Sequence, residues 1–458
     1  MATSPNTQNS NQEQRLRAIQ VITKTFGWLH IFLVLQFSLQ ILLLFPQFGV
    51  LRPLMRIAAF GMSLFLLVWL PGPGQKLPGK ATAIGIMMIL LMQFFFNPSL
   101  NSVPAGLAQC ALYLAIIAPL FWVSRLSISV SALKWLIYIL WGFHTLSSIF
   151  GLLQIYFPGQ YQPFLSTAIQ NQGWGGENLK IVLANGSSVF RPMGLTDVPG
   201  GAARSGFYAL LFGTGIALQE RHHIFKTIGA LSVAIGLFSI YMSQIRSTLV
   251  NSIICLIILF FILYRQGKIL QASTMAGGMI AMFIAVFSWA VAVGGQQTLN
   301  RIMSLTSDDP SQVFQQNRGH FLTTTIQDLL PQYPLGAGLG RWGPLNGYFG
   351  DSSNPLTQAL WVEIQWTGWL FDGGLPLIIA YVLAIGFTVH GVWKISMMPG
   401  QGELRFWAAL IIAYDAGAFA VLFNYPLFIG QGGMEFWVLN AAILVAIGSK
   451  SITKKTSI

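Results

Sequence analysis

Long apolar runs alternate with short polar connections along almost the entire chain. Apolar stretches fall near 26–46, 50–70, 81–96, 104–124, 133–157, 201–219, 225–243, 247–264, 272–294, 370–393, 405–423 and 434–448. Several approach the roughly 20 residues that a helix needs to cross the hydrocarbon of a bilayer. The pattern predicts an all-α, polytopic integral membrane bundle of about twelve transmembrane helices. Two connections are long and polar, about 158–200 and 295–369. Residues 1–20 are polar and rich in Asn and Gln, which reads as a disordered segment. Residues 21–449 then make one bundle and 450–458 a short tail, with no internal repeat or linker to divide the chain. No cleavable signal peptide is expected ahead of the first span.

Composition sharpens this picture. The 458 residues are 54% hydrophobic and only 8% charged, against about 25% charged in a soluble domain. Length alone would suggest two or three soluble domains, and the apolar runs exclude them. A net charge of +12 could suggest nucleic acid, but Lys and Arg occur in short clusters between apolar runs, as topology signals do. Arg15, Arg17 and Lys24 precede the first span. Every second connection is then basic: Lys76 and Lys80, Arg125 and Lys134, Arg221 and Lys226, Arg265 and Lys268, Lys394 and Arg405. The tail adds Lys450, Lys454 and Lys455. These are 16 of the 25 basic residues. With twelve spans all of them fall on one side, so both termini are expected in the cytoplasm and both long loops outside. Cys110 and Cys255 sit in apolar segments and imply no disulfide framework.

The outer side carries few basic residues, and most are arginines. Arg191 ends the first long loop in FRPMGLTDVPGGAA, and Arg204 follows in the next span. Arg246 stands at the turn SQIRSTLV, and Arg301, Arg318 and Arg341 belong to the second loop. Topology is biased against them there. Arginine offers a permanent charge and a planar donor fork suited to phosphate oxygens. The cluster therefore suggests an anionic ligand, with a lipid-linked diphosphate as the natural candidate. The alternative is structural pairing with Asp197, Asp308, Asp309, Asp328 or Asp351. YPLGAGLGRWG holds Gly336, Gly338 and Gly340, but no parallel-sheet context makes it a nucleotide loop, so a tight turn is expected. His320 lies beside Arg318, as a surface histidine or a second base. His222 and His223 flank a span, while His144 and Asp415 lie within spans, Asp415 for a buried pair or hydrogen bond. Trp174, Trp342, Trp361, Trp366 and Trp369 border the outer interface, as anchors or as platforms for sugar rings. No His/Asp/Glu cluster has metal-ligand spacing, and no cofactor is expected.

Arg191-Pro-Met-Gly194, with Pro199 and then Ala202 and Ala203, resembles the "R-x-x-G, then P, then A" segment of the O-antigen ligase and O-antigen polymerase superfamily. Ser243 to Arg246 is similar to the Ser-x-Arg that opens a following span there. Arg301, Arg318 and the turn Pro334-Leu335-Gly336-Ala337-Gly338 follow in the family's order. The ligases next carry a His and, after ten residues, a Gly; here Glu363 stands at that distance before Gly374. The resemblance covers about residues 185–395. It implies a GT-C-type membrane glycosyltransferase that takes a glycan from undecaprenyl diphosphate at the periplasmic face of a bacterial inner membrane and passes it, without metal, to an acceptor hydroxyl. The missing His fits polymerase-like members better than ligases. In this light Arg191, Arg246, Arg301 and Arg318 would hold the diphosphate, whose charge grows as it leaves. Glu363, in the aromatic setting WVEIQWTGW, would be the general base or would orient an arginine, with His320 or Asp372 as the next base candidates. A secondary transporter of a small anion or sugar is the competing expectation, and a scaffold without activity a third.

Overall fold

The computed structural model describes residues 27–163, 179–307, 309, 312 and 315–455. The expected disordered segment 1–20, Trp174, Asp308 and the last three residues of the tail lie outside the described residues. The fold is an all-helical bundle with one small hairpin. Its long helices are α1 (Trp28–Leu42), α2 (Arg52–Trp69), α3 (Lys80–Phe96), α4 (Val103–Arg125), α5 (Val130–Tyr156) and α6 (Ala202–Gln219). They continue as α7 (His223–Ser243), α8 (Arg246–Arg265), α9 (Ile269–Ser307), α10 (Gln365–Met397), α11 (Glu403–Val421) and α12 (Gln431–Lys455). Each expected apolar stretch coincides with one of them. Among the described residues, eight (α4, α5 and α7–α12) are long and apolar enough to cross a membrane; the other four are shorter or less apolar. The final helix runs through the expected tail as far as Lys455.

The connections sort into two ends of the bundle. At one end the 71–79 segment meets the end of α4, where Gln75 N donates to Ser124 O at 2.8 Å and Lys80 Nζ to Ser124 Oγ at 2.8 Å. Gln266 Nε2 reaches Ser396 O at 2.9 Å and Arg405 O at 3.2 Å, and Lys134 pairs with Glu220 at 2.5 Å. This end gathers the basic connections. At the other end the 97–102 turn is tied to the second long loop, since Asn101 Nδ2 donates to Thr357 O at 2.7 Å. Arg56 pairs there with Asp197 of the first loop at 2.8 Å. Serine caps set two helix starts: Ser102 accepts from Ala105 N in α4, and Ser129 from Ala132 N in α5. Small residues set one tight crossing. Gly206 and Gly213 of α6 face Gly236 and Gly229 of α7, and a Cβ at Gly206 would lie 2.5 Å from Gly236 O.

The second long loop is shorter than the apolar pattern predicts, because both helices that flank it continue through Gly-Gly pairs, whereas the first keeps its expected bounds between Tyr156 and Ala202. In α9, Gly295 adopts φ 62°, ψ −159°; in α10, Gly374 adopts φ 67°, ψ −160°. That region is open essentially to glycine alone. Each break frees a carbonyl, and each long loop supplies an N–H for it. The first loop folds into a hairpin, β1 (Lys180–Val182) antiparallel to β2 (Ser188–Phe190). Ala184 N in its turn donates to Val293 O at 2.9 Å. In the second loop Ala337 N donates to Phe371 O at 2.7 Å, and Leu375 N to Pro334 O at 2.9 Å. Polar groups freed inside an apolar bundle are thereby satisfied. Counted from the basic end, Gly295 is 26 residues along α9 and Gly374 is 23 along α10. At 1.5 Å per residue the breaks lie roughly 35–39 Å from that end, near the far boundary of roughly 30 Å of hydrocarbon.

Candidate functional site

The segment Arg191–Gly194 is placed by α5. Gly194 turns the chain with φ 65°, and a Cβ there would lie 2.5 Å from Ser147 Oγ. Gln154 Oε1 accepts from Met193 N at 2.8 Å and Gly194 N at 2.9 Å, while Gln154 Nε2 donates to Gly194 O at 2.9 Å. Ser147 Oγ accepts from Leu195 N at 3.0 Å. Buried side chains of one helix thus fix both edges of the turn, and with it the position of Arg191. The sequence pattern marked the Arg and the Gly; Gln154 and Ser147 carry no such signal, being two polar residues in a long apolar run.

Arg191, Arg246 and Arg301 form one electrostatic group, with Arg246 and Arg191 both close enough to repel Arg301. Arg246 begins α8 and donates through Nη1 to Ser304 Oγ at 2.9 Å. Arg246 and Arg301 line a shallow recess of only about 10 Å³ with Gln244, the single non-glycine residue with positive φ (55°) among the described residues. A left-handed glutamine beside an arginine pair is local strain at this spot. Among the described residues, none of the three arginines forms an ion pair with a carboxylate. Arg191 Nε and Gln244 Nε2 are buried donors with no hydrogen-bond partner. Burial also pushes the Arg191 guanidinium below the usual arginine range, the mark of a charge removed from water without compensation.

The other outer arginines are spoken for. Arg318 pairs with Glu363. Arg204 Nη2 meets Glu435 Oε2 at 2.6 Å. Arg341 is buried, and its fork is filled by Ala337 O at 2.9 Å and Gln358 O at 3.1 Å. Asp197 is taken by Arg56. Structural pairing therefore holds for Arg318, through Glu363 in the arginine-orienting arrangement weighed from sequence, and for Arg204, through Glu435, which was not among the partners considered.

His320 is exposed, with Nδ1 3.2 Å from Gln315 O and its ring against Phe321. Gly336 and Gly338 turn the chain with φ 107° and 102°; Gly336 lies against Gly373 at the break, and Gly338 against Ser99 and Leu100 of the 97–102 turn. A Cβ at Gly374 would meet Pro334 O at 2.2 Å. Asp372, one of the next base candidates, is wholly buried and accepts from Tyr113 Oη at 2.6 Å and Gln109 Nε2 at 3.1 Å, which anchors the break to α4. Deeper in the bundle Glu435 also accepts from Tyr208 Oη; Tyr208 lies 2.9 Å from Tyr414 Oη and stacks on His144 at 4.1 Å. Glu435 was missed from sequence, although an acid inside the final apolar run was a signal. Asp415 accepts from Asn440 at 2.7 Å. Of the tryptophans expected at the interface, Trp361 is exposed, while Trp342 and Trp369 are buried in the packing around α10. Comparison of the chain with models of known protein families and with curated proteins returns no match.

Proposed function

We propose that the protein is a GT-C-type glycosyltransferase of a bacterial inner membrane, crossing it twelve times with both termini cytoplasmic. It moves a glycan from an undecaprenyl-diphosphate carrier to an acceptor hydroxyl at the periplasmic face, as an O-antigen or exopolysaccharide polymerase or ligase does. One observation carries this: Arg191 and Arg246 both stand close enough to repel Arg301, none of the three is paired with a carboxylate among the described residues, and Arg191 Nε and the neighbouring Gln244 Nε2 are buried donors without acceptors. Such a constellation is complementary to a dianion, and a diphosphate leaving group gains charge as its bond to the sugar breaks. Arg318 pairs with Glu363, and the ion pair favours an orienting role for the glutamate over that of base, since a neighbouring guanidinium makes a carboxylate a weaker proton acceptor.

The transporter alternative draws support from the two glycine-broken helices, a device of transporter binding sites. Transporters place such breaks near the bilayer midplane; here both lie near the boundary at the loop end, under loops that close them. That placement favours chemistry at the surface.

The test uses purified full-length protein, an undecaprenyl-diphosphate oligosaccharide and buffer containing a chelator. Transfer to an acceptor glycan is expected. No transfer, with exchange of a free sugar or anion into proteoliposomes, would establish the transporter instead. In the same assay Glu363→Gln is expected to weaken donor binding, as an arginine-orienting residue should. Intact donor binding with lost turnover would make Glu363 the base, and wild-type behaviour would remove it from the site.

A further inference from the structure

A groove of about 570 Å³ lies between α8, α10 and α11. Its lining is apolar, with Ile258, Phe261, Val382, Ile385 and Val389 among it, and its two charged residues stand at opposite ends. Asp415 is at the deep end, already held by Asn440. Arg265 is at the basic end with Trp393 beside it, in the last turn of α8. Along α10 the wall from Val382 to Trp393 spans eleven residue steps, roughly 16 Å at 1.5 Å per residue. That is about one leaflet, half of roughly 30 Å of hydrocarbon.

The mouth is strongly positive. Arg265 has no ion pair among the described residues, and Lys268 and Arg405 stand close enough to repel each other. Glu403, the acid of this end of α11, is shared with Lys134 at 3.6 Å. A cation and an indole at the mouth, then one leaflet's depth of apolar wall, match an amphipathic anion with a long hydrocarbon tail. They match a sugar poorly, since its several hydroxyls would find a single free acceptor along the wall, Asp415 Oδ2.

We propose that the groove is a binding site for an anionic glycerophospholipid, its phosphate on Arg265 and one acyl chain against α8 and α10. This stands on the bundle lying in a membrane and is independent of the glycosyltransferase proposal. The groove lies toward the basic end, away from the arginine group at the loop end.

Full-length protein is extracted from bilayers of equal phosphatidylglycerol and phosphatidylethanolamine, and retained lipid is counted by native mass spectrometry. One phosphatidylglycerol is expected per chain, in preference to phosphatidylethanolamine. Arg265→Gln is expected to cut that preference by about fivefold, the worth of one basic residue at a lipid surface. Gly386→Phe is expected to abolish retention. A Cβ at Gly386 meets nothing within 4 Å, so the ring fills the groove without displacing backbone. The unfolding midpoint of each variant, unchanged, shows that the fold is kept. Equal retention of the two lipids by the wild type would overturn the proposal, as would undiminished retention in Gly386→Phe or an isoprenoid phosphate in place of the glycerophospholipid.

Discussion

Arg301→Ala is expected to lower glycan transfer by one to two decades while leaving the protein at least as thermally stable as the wild type. The loss follows from removing a charge-assisted contact, about 1.5–3 kcal/mol, from a group whose charge grows in the transition state. The stability follows from the apo site. Arg301 is repelled by both Arg246 and Arg191 and, among the described residues, is paired with no carboxylate. Its removal relieves repulsion and breaks no ion pair. Arg191→Ala and Arg246→Ala are expected to behave alike. Lysine at any of the three should restore only part of the activity, because an ammonium cannot reproduce the bidentate fork. A structural arginine would give the opposite signature, losing stability first. Transfer and unfolding midpoints, measured on the same preparations, check both halves; a variant that is unstable yet fully active would show the group to be scaffold.

Arg204→Ala supplies the contrast, with an expected destabilisation of about 1–3 kcal/mol, less than for a fully buried pair because the Arg204 side chain is 44% exposed although Glu435 is buried. Glu435 is 1% exposed and accepts from both Arg204 and Tyr208, so losing the guanidinium leaves a carboxylate in the bundle interior with one donor. Neutralising the acid as well should recover most of the loss. Arg204→Met with Glu435→Gln is therefore expected to unfold near the wild-type temperature in detergent, because a buried pair replaced by neutral groups of similar volume is often harmless. If Arg204→Ala alone melts like the wild type, the pair does not hold α6 to α12.

These contrasts show what the sequence could and could not reveal. The twelve long helices were legible because each is an apolar run, and among the described residues eight of them are long and apolar enough to cross a membrane. The grouping of the basic connections at one end was legible because Lys and Arg cluster in every second connection. Arg191 and Gly194 were legible as a motif, but the clamp of Gln154 and Ser147 was not, since a polar residue in an apolar helix gives no hint of its partner. The breaks at Gly295 and Gly374 escaped because a Gly-Gly pair in an apolar run reads equally as close packing, and only the loops covering them settle the conformation. The division of the six arginines into three without a carboxylate partner among the described residues, two paired and one filled by carbonyls is a tertiary outcome. It depends on Glu363 and Glu435 arriving from distant segments.

The claim on which the rest depends is that Arg191, Arg246 and Arg301 bind a lipid-linked diphosphate. Affinity for undecaprenyl diphosphate and undecaprenyl monophosphate, measured for the wild type and the three alanine variants in nanodiscs, tests it directly. The diphosphate is expected to bind at least about tenfold more tightly than the monophosphate, with each alanine removing about a factor of ten, as one lost charge-assisted contact requires. Equal affinity for the two lipids, unchanged in the variants, would contradict it.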